Sequence, residues 1–153
     1  MEIQISLPVD EDGFLRRECP SCERQFKSYF GETADRPEDF LEPENYFCPY
    51  CGEPSGHDTW WTKQQLEYMQ SAAVGPMLEE VTDELGRAFG NIRNDFIKFD
   101  VKPPDPPEPP MPLIEPNDML MVAPPCHRFE PIKVLEDWTE PLNCFMCGDS
   151  FTV

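Results

Sequence analysis

Cys19-Pro20-Ser21-Cys22, followed after 25 residues by Cys48-Pro49-Tyr50-Cys51-Gly52, is the stretch that decides how this chain folds. Two Cys-x-x-Cys turns at this separation are a strong metal signal. Each turn points two sulfurs at one ion, and two turns complete a tetrahedron with metal–sulfur bonds of about 2.3 Å. A glycine directly after Cys51 permits the left-handed backbone that frees amides to donate to the thiolates. Cys19, Cys22, Cys48 and Cys51 are therefore read as one structural zinc site. Such an ion contributes roughly 10–16 kcal/mol in apparent terms to a small fold. Four cysteines also leave no open coordination position, which argues against catalysis at the metal.

A second constellation is less complete. Cys126-His127 is followed after 16 residues by Cys144-Phe145-Met146-Cys147-Gly148. The latter is a good second turn, but the former supplies one cysteine where two are expected. His127 is the candidate fourth ligand beside Cys126, Cys144 and Cys147, although adjacent residues tend to point in different directions. A ligand from elsewhere, such as His57, is an alternative, and so is a segment that folds without metal. His57 by itself reads as a polar loop residue after Gly56.

The paired knuckles Cys19-Pro-Ser-Cys22 and Cys48-Pro-Tyr-Cys51-Gly resemble the zinc-ribbon and rubredoxin-like class over about the first 55 residues. The resemblance implies antiparallel strands around a buried ion, and it implies no particular substrate. Rubredoxins hold iron in a similar cage, but Glu23 and Arg24 stand where they carry glycine and an aromatic residue. Cys48-Pro49-Tyr50-Cys51 also matches the glutaredoxin tetrad. That chemistry needs the first cysteine at a helix N-terminus in a βαβ unit, and no such pattern precedes it.

Composition narrows the class further. The chain has 153 residues, seven cysteines, 19 prolines and a formal net charge of −18. The segments 1–57, 58–100 and 101–153 each carry more acids than bases. Such a field repels phosphate, so nucleic acid is not the expected partner. Arg16, Arg17, Arg24 and Lys27 form a local exception beside the first cysteine pair. They either meet phosphate or an acidic peptide, or they neutralise nearby thiolate and carboxylate. The N-terminus lacks the basic start and apolar run of a secretory signal. No stretch reaches the roughly 20 apolar residues of a membrane helix. With an odd cysteine count, the chain reads as cytoplasmic, with reduced thiols and no membrane contact.

Along the chain, Ile3, Ile5 and Leu7 alternate with polar residues and suggest a short strand. Phe14–Arg17, Arg24–Tyr29, Phe96–Val101, Met119–Ala123 and Ser150–Val153 suggest others. Thr62 and Gln65 form a capping box. Leu66, Met69, Ala73, Met77, Val81, Leu85 and Phe89 then make one apolar helical stripe. Gly75-Pro76 predicts a kink, or two helices over 63–74 and 76–90. Trp60 and Trp61 are expected to pack that helix onto the first metal module. Residues 102–112 are proline-rich and read as a stiff spacer, with a P-x-x-P docking peptide at Pro107 and Pro110 as the alternative.

The expected fold class is a small metal-stabilised α+β protein. Zinc-ribbon-like antiparallel modules at 1–57 and 118–153 are joined by a helical connector over 58–101 and the spacer over 102–117. No phosphate loop or nucleophile elbow is present in the sequence. The chain therefore reads as a non-enzymatic zinc-binding adaptor or regulator for a protein partner with a basic surface. Tyr50, Phe145 and Met146 are candidate contacts, or else core residues. Alternatives are a nucleic-acid- or transcription-associated ribbon and a rubredoxin-like iron carrier.

Overall fold

The computed structural model describes residues 5–31, 33–89 and 111–153. The expected strand at Phe96–Val101 and most of the proline tract, with Pro107 and Pro110, lie outside them, as does Ile3. Ile5 and Leu7 lie in irregular backbone rather than a strand. The described chain forms two compact units. One comprises Leu7–Lys63 with Ile114–Val153 and the other contains most of the helix.

The first unit is built on a four-stranded antiparallel sheet. Strands β1 (Phe14–Glu18) and β2 (Gln25–Tyr29) form a hairpin around Cys19 and Cys22. Strands β5 (Leu120–Val122) and β6 (Ile132–Val134) form another around Cys126 and His127. The strand order is β1-β2-β6-β5, with Lys27 directly opposite Lys133 where β2 meets β6. Segments expected in separate modules at 1–57 and 118–153 thus share one sheet. The physical reason is that an isolated two-stranded hairpin is marginal in water, and pairing two of them supplies a coverable face.

Strand alternation gives that sheet two different faces. Leu15, Phe26, Ile132 and Val134 share one, and Phe14, Lys27 and Lys133 the other. Phe26 is fully buried, with the rings of Tyr50, Trp60 and Phe145 edge-on to it at 6.3, 5.7 and 5.4 Å. Tyr50, Phe145 and Met146, left open above between contact and core, are core residues. Trp60 belongs to this same core.

The opposite face is ionic. The Lys27 and Lys133 ammonium groups are buried and share Asp10 Oδ2, at 3.1 and 2.8 Å. Lys27 also meets Glu115 at 3.0 Å, and Lys133 meets Asp12 at 2.7 Å. Arg16 bonds Glu115 and Asp118 at 2.9 and 2.7 Å. Burial pushes the Asp10 carboxyl upward, but Lys133, Lys27 and the backbone amides of Phe14 and Asp12 outweigh it and hold it far below the carboxylate range. The basic patch proposed at Arg16, Arg17, Arg24 and Lys27 is not a common surface. Two of its members neutralise buried carboxylates, while Arg17 and Arg24 lie over the rings of Trp61 and Trp138.

Two short ladders carry the remaining cysteine turns: β3 (Tyr46–Phe47) with β4 (Pro54–Ser55), and β7 (Leu142–Asn143) with β8 (Ser150–Phe151). Their contacts are reciprocal. Phe47 N–H donates to the Phe145 carbonyl at 2.9 Å, and Asn143 N–H donates to the Pro49 carbonyl at 2.8 Å. Phe47 and Asn143 each precede the first cysteine of their turn, and Phe145 and Pro49 each follow it. Each residue of one ladder thus meets the other's counterpart, as across a two-fold axis.

Helix α1 runs from Lys63 to Phe89 as one element, with Pro76 inside it, rather than as two helices. Thr62 stands at the N-cap position, and Gln65 at the third helical residue, as a capping box requires. Leu66, Met77, Val81 and Leu85 of the apolar stripe are exposed. Among the described residues, no helix is long and apolar enough to cross a membrane.

Candidate metal centres

Three of the cysteine turns are built alike. In each, the first cysteine's carbonyl accepts from the residue four positions on: Glu23 at 3.0 Å, Gly52 at 2.9 Å and Gly148 at 2.8 Å. Its own N–H donates one residue further, to Arg24, Glu53 or Asp149. The residue at the fourth position is left-handed every time, with φ of 61° at Glu23, 76° at Gly52 and 78° at Gly148. Two of the turns use the residue that adopts this conformation freely, and the first uses glutamate against its preference.

The turns direct amides at sulfur. Cys19 Sγ accepts from the N–H groups of Ser21 and Cys22 at 3.3 and 3.4 Å. Cys48 Sγ accepts from Tyr50 and Cys51 at 3.4 and 3.5 Å. On Cys48 these donors favour the thiolate over the thiol. Burial opposes them: it raises the Cys48 thiol well above its ordinary value and pushes Cys144 up to about 12. A buried sulfur so prepared ionises when a cation displaces its proton.

The distances test whether an ion fits. All seven cysteines are free thiols. Cys19 and Cys51 sulfurs are 3.7 Å apart, as are those of Cys22 and Cys48. A disulfide needs about 2.05 Å. Four sulfurs at about 2.3 Å from a central ion have tetrahedral edges of about 3.8 Å. Cys19, Cys22, Cys48 and Cys51 therefore already hold the spacing of a tetrahedral metal site, and their ligand atoms lie within 4.8 Å of one another.

The second group is Cys126, His127, Cys144 and Cys147, within the same limit. Cys126 and Cys147 sulfurs are 3.4 Å apart, and Cys144 Sγ is 3.5 Å from His127 Nδ1. With a metal–nitrogen bond of about 2.0–2.1 Å, the ideal sulfur–nitrogen edge is about 3.6 Å. His127, left open by the sequence, thus joins the second group. Pro124 makes this possible by accepting the His127 N–H at 3.1 Å, which turns the chain sharply at the pair. Edge-on contacts with Phe40 and Phe129 hold the imidazole ring. His57 belongs to neither group: it stacks on Tyr46 and its Nε2 is 2.6 Å from the Pro43 carbonyl.

Sequence reasoning missed the Asp10–Lys27–Lys133 cluster. Its signal was weak, a lysine centred in each of two short strand segments, Phe26-Lys27-Ser28 and Ile132-Lys133-Val134, of which only the second is otherwise apolar. What is established is two cysteine-rich groups able to hold metal ions, compatible with a zinc-ribbon-like class. No protein-family model, curated protein or solved structure matches this chain.

Proposed function

We propose that the chain is a non-enzymatic zinc-binding adaptor, two zinc-ribbon-like halves fused through a common sheet. The observation that carries this reading is the completeness of both ligand sets, each of which supplies four protein ligands to its ion and leaves no position for substrate. Zinc is the ion of choice because a set of three sulfurs and one imidazole is a structural zinc set. The ions hold turns whose flanking strands contribute to one core, and so they act as structural supports. Net charge of −18 favours a partner with a basic face, drawn in by long-range attraction. Engagement of Arg16 and Lys27 by carboxylates supports a protein over nucleic acid as that partner. Reduced thiols suit the cytoplasm.

Native mass spectrometry and elemental analysis of protein grown without added metal test the reading. Two zinc ions per chain are expected, and iron in their place would overturn it. Partner capture should require the loaded chain and weaken as salt rises. Capture that survives both chelation and high salt would sink the adaptor role.

A further inference from the structure

We propose that a cavity beside Arg17 binds a small carboxylic acid with an apolar body, an activity separate from the metal centres. The cavity measures about 310 Å³. That is near the lower end of ligand pockets, about 300–1,000 Å³, and suits a molecule the size of one amino acid.

Its charges are unevenly matched. Arg36 donates through Nε to Glu130 at 2.8 Å and lies 3.8 Å from Glu42, so both acids lining the cavity face that one guanidinium. Arg17 is different. It extends from β1 on the sheet's aromatic face, where a charge is unusual. Its Nε donates to Ser28 Oγ at 3.1 Å, and its guanidinium stands 5.2 Å over the Trp61 ring. Among the described residues, no carboxylate bonds to it. A half-buried guanidinium without an anion is costly, and its planar fork matches a carboxylate in two parallel hydrogen bonds. Ser28 and the Trp61 ring hold Arg17 in place before a ligand arrives, which lowers the entropy lost on binding.

The rest of the lining sets the ligand's other end. Phe145 and Met146 are buried and apolar, and Tyr46 stacks on Phe145 at 4.4 Å. An aromatic or aliphatic body suits these surfaces. The acids nearby favour one negative charge over two, so a carboxylate is preferred to a phosphate. The last residue of a polypeptide and a free carboxylic acid share this chemistry.

The test uses the metal-loaded, isotope-labelled full chain, titrated by NMR with N-acetylphenylalanine, phenylpropionate, N-acetylphenylalanine amide and phenyl phosphate. Both carboxylates should shift the Ser28, Gly31 and Tyr46 amides saturably at millimolar concentration. Loss of the charge in the amide should weaken binding about ten- to a hundredfold. Tighter binding of N-acetylphenylalanine than phenylpropionate identifies a chain end, and equal binding identifies a free acid. Arg17→Met should abolish the response with the spectrum otherwise intact. Arg17→Lys, which keeps the charge but not the fork, should weaken it less and serves where the methionine variant does not fold. No saturable shift from either carboxylate, equal binding of the amide, or tighter binding of phenyl phosphate would overturn the proposal.

Discussion

A methyl group placed on Gly148 should cost this fold much more than the same group on Gly52, although the two residues hold equivalent places. Both are left-handed, so alanine at either meets backbone strain of roughly 1–2 kcal/mol. The surroundings then separate them. At Gly52 the new Cβ would lie 3.3 Å from Asn143 Nδ2, the end of a flexible side chain that moves aside cheaply. At Gly148 it would lie 2.8 and 3.0 Å from Cδ1 and Cγ of Phe47. That ring has to shift, which adds about 1–3 kcal/mol. The expected losses are about 1–2 kcal/mol for Gly52→Ala and about 2–5 kcal/mol for Gly148→Ala. Glu23→Gly goes the other way. It relieves the left-handed strain and adds unfolded-chain entropy of about 0.5–1 kcal/mol, for a net gain near 0.5–1 kcal/mol. Thermal unfolding of the loaded variants in the same excess of zinc resolves these differences, since each kcal/mol moves Tm by about 4–8 °C in a domain of 60–100 residues. A Gly148→Ala variant as stable as Gly52→Ala, or a Glu23→Gly variant less stable than the parent, would refute the equivalence of the turns.

Asp10→Asn should destabilise by about 3–5 kcal/mol in urea titrations, because two buried ammonium groups lose their shared carboxylate. A loss under about 1 kcal/mol would mean that water reaches the lysines. Lys133 gives an alkaline test. Burial pulls its pKa down, but Asp10 and Asp12 outweigh burial and hold it above the ordinary 10.5. A raised pKa contributes stability that is fully present below 10.5 and lost as pH rises through the folded value. The stability difference between the parent and Lys133→Met should therefore be constant to about pH 10 and shrink above it; a difference flat through that range would contradict the ion pairing. His127→Ala should lose one of the two bound ions in native mass spectra while the four-cysteine centre stays loaded. Retention of both would remove His127 from the ligand set.

Spacing made the metal centres legible, because a Cys-x-x-Cys turn is a local object whose geometry survives any tertiary arrangement. Helix α1 was legible for a similar reason, through its capping pair and apolar period. What the sequence hid depends on pairing across long separations. Lys27 reads as a solvent-facing strand residue until the loop carrying Asp10 and the segment around Glu115 and Pro116 are laid over its face of the sheet. Phe145 and Met146, inside a cysteine turn, read equally well as surface knobs, and it is the core shared with the first half, with Phe26, Tyr46 and Trp60 around the Phe145 ring, that takes them in. Pro76 breaks the expected helix on intrinsic cost alone, about 3 kcal/mol, yet the hydrogen bonds on either side carry the helix through it.

The pairing of the two halves also explains why Asp10 matters. A two-fold arrangement brings the same point of each half to the axis, and here that point is a lysine on each side. Like charges directly opposite each other in a sheet are destabilising. A symmetric solution would need a symmetric pair of acids. The chain instead uses one carboxylate from the loop before β1, with both ammonium groups on the same Oδ2 atom. Glu115 and Asp12 then serve one lysine each. The halves are therefore alike where they fold metal-binding turns and unlike where they meet. Each also gives the other its core, since the Phe26 ring of the first packs on the Phe145 ring of the second. The first half produced alone would lose the Phe145 ring from its core, and the second alone would lose Asp10 and Asp12, the two acids that pair with Lys133. Segments near 40 residues depend on metals or association to fold, and here each half has the other beside it and a cysteine-rich group able to hold a metal ion.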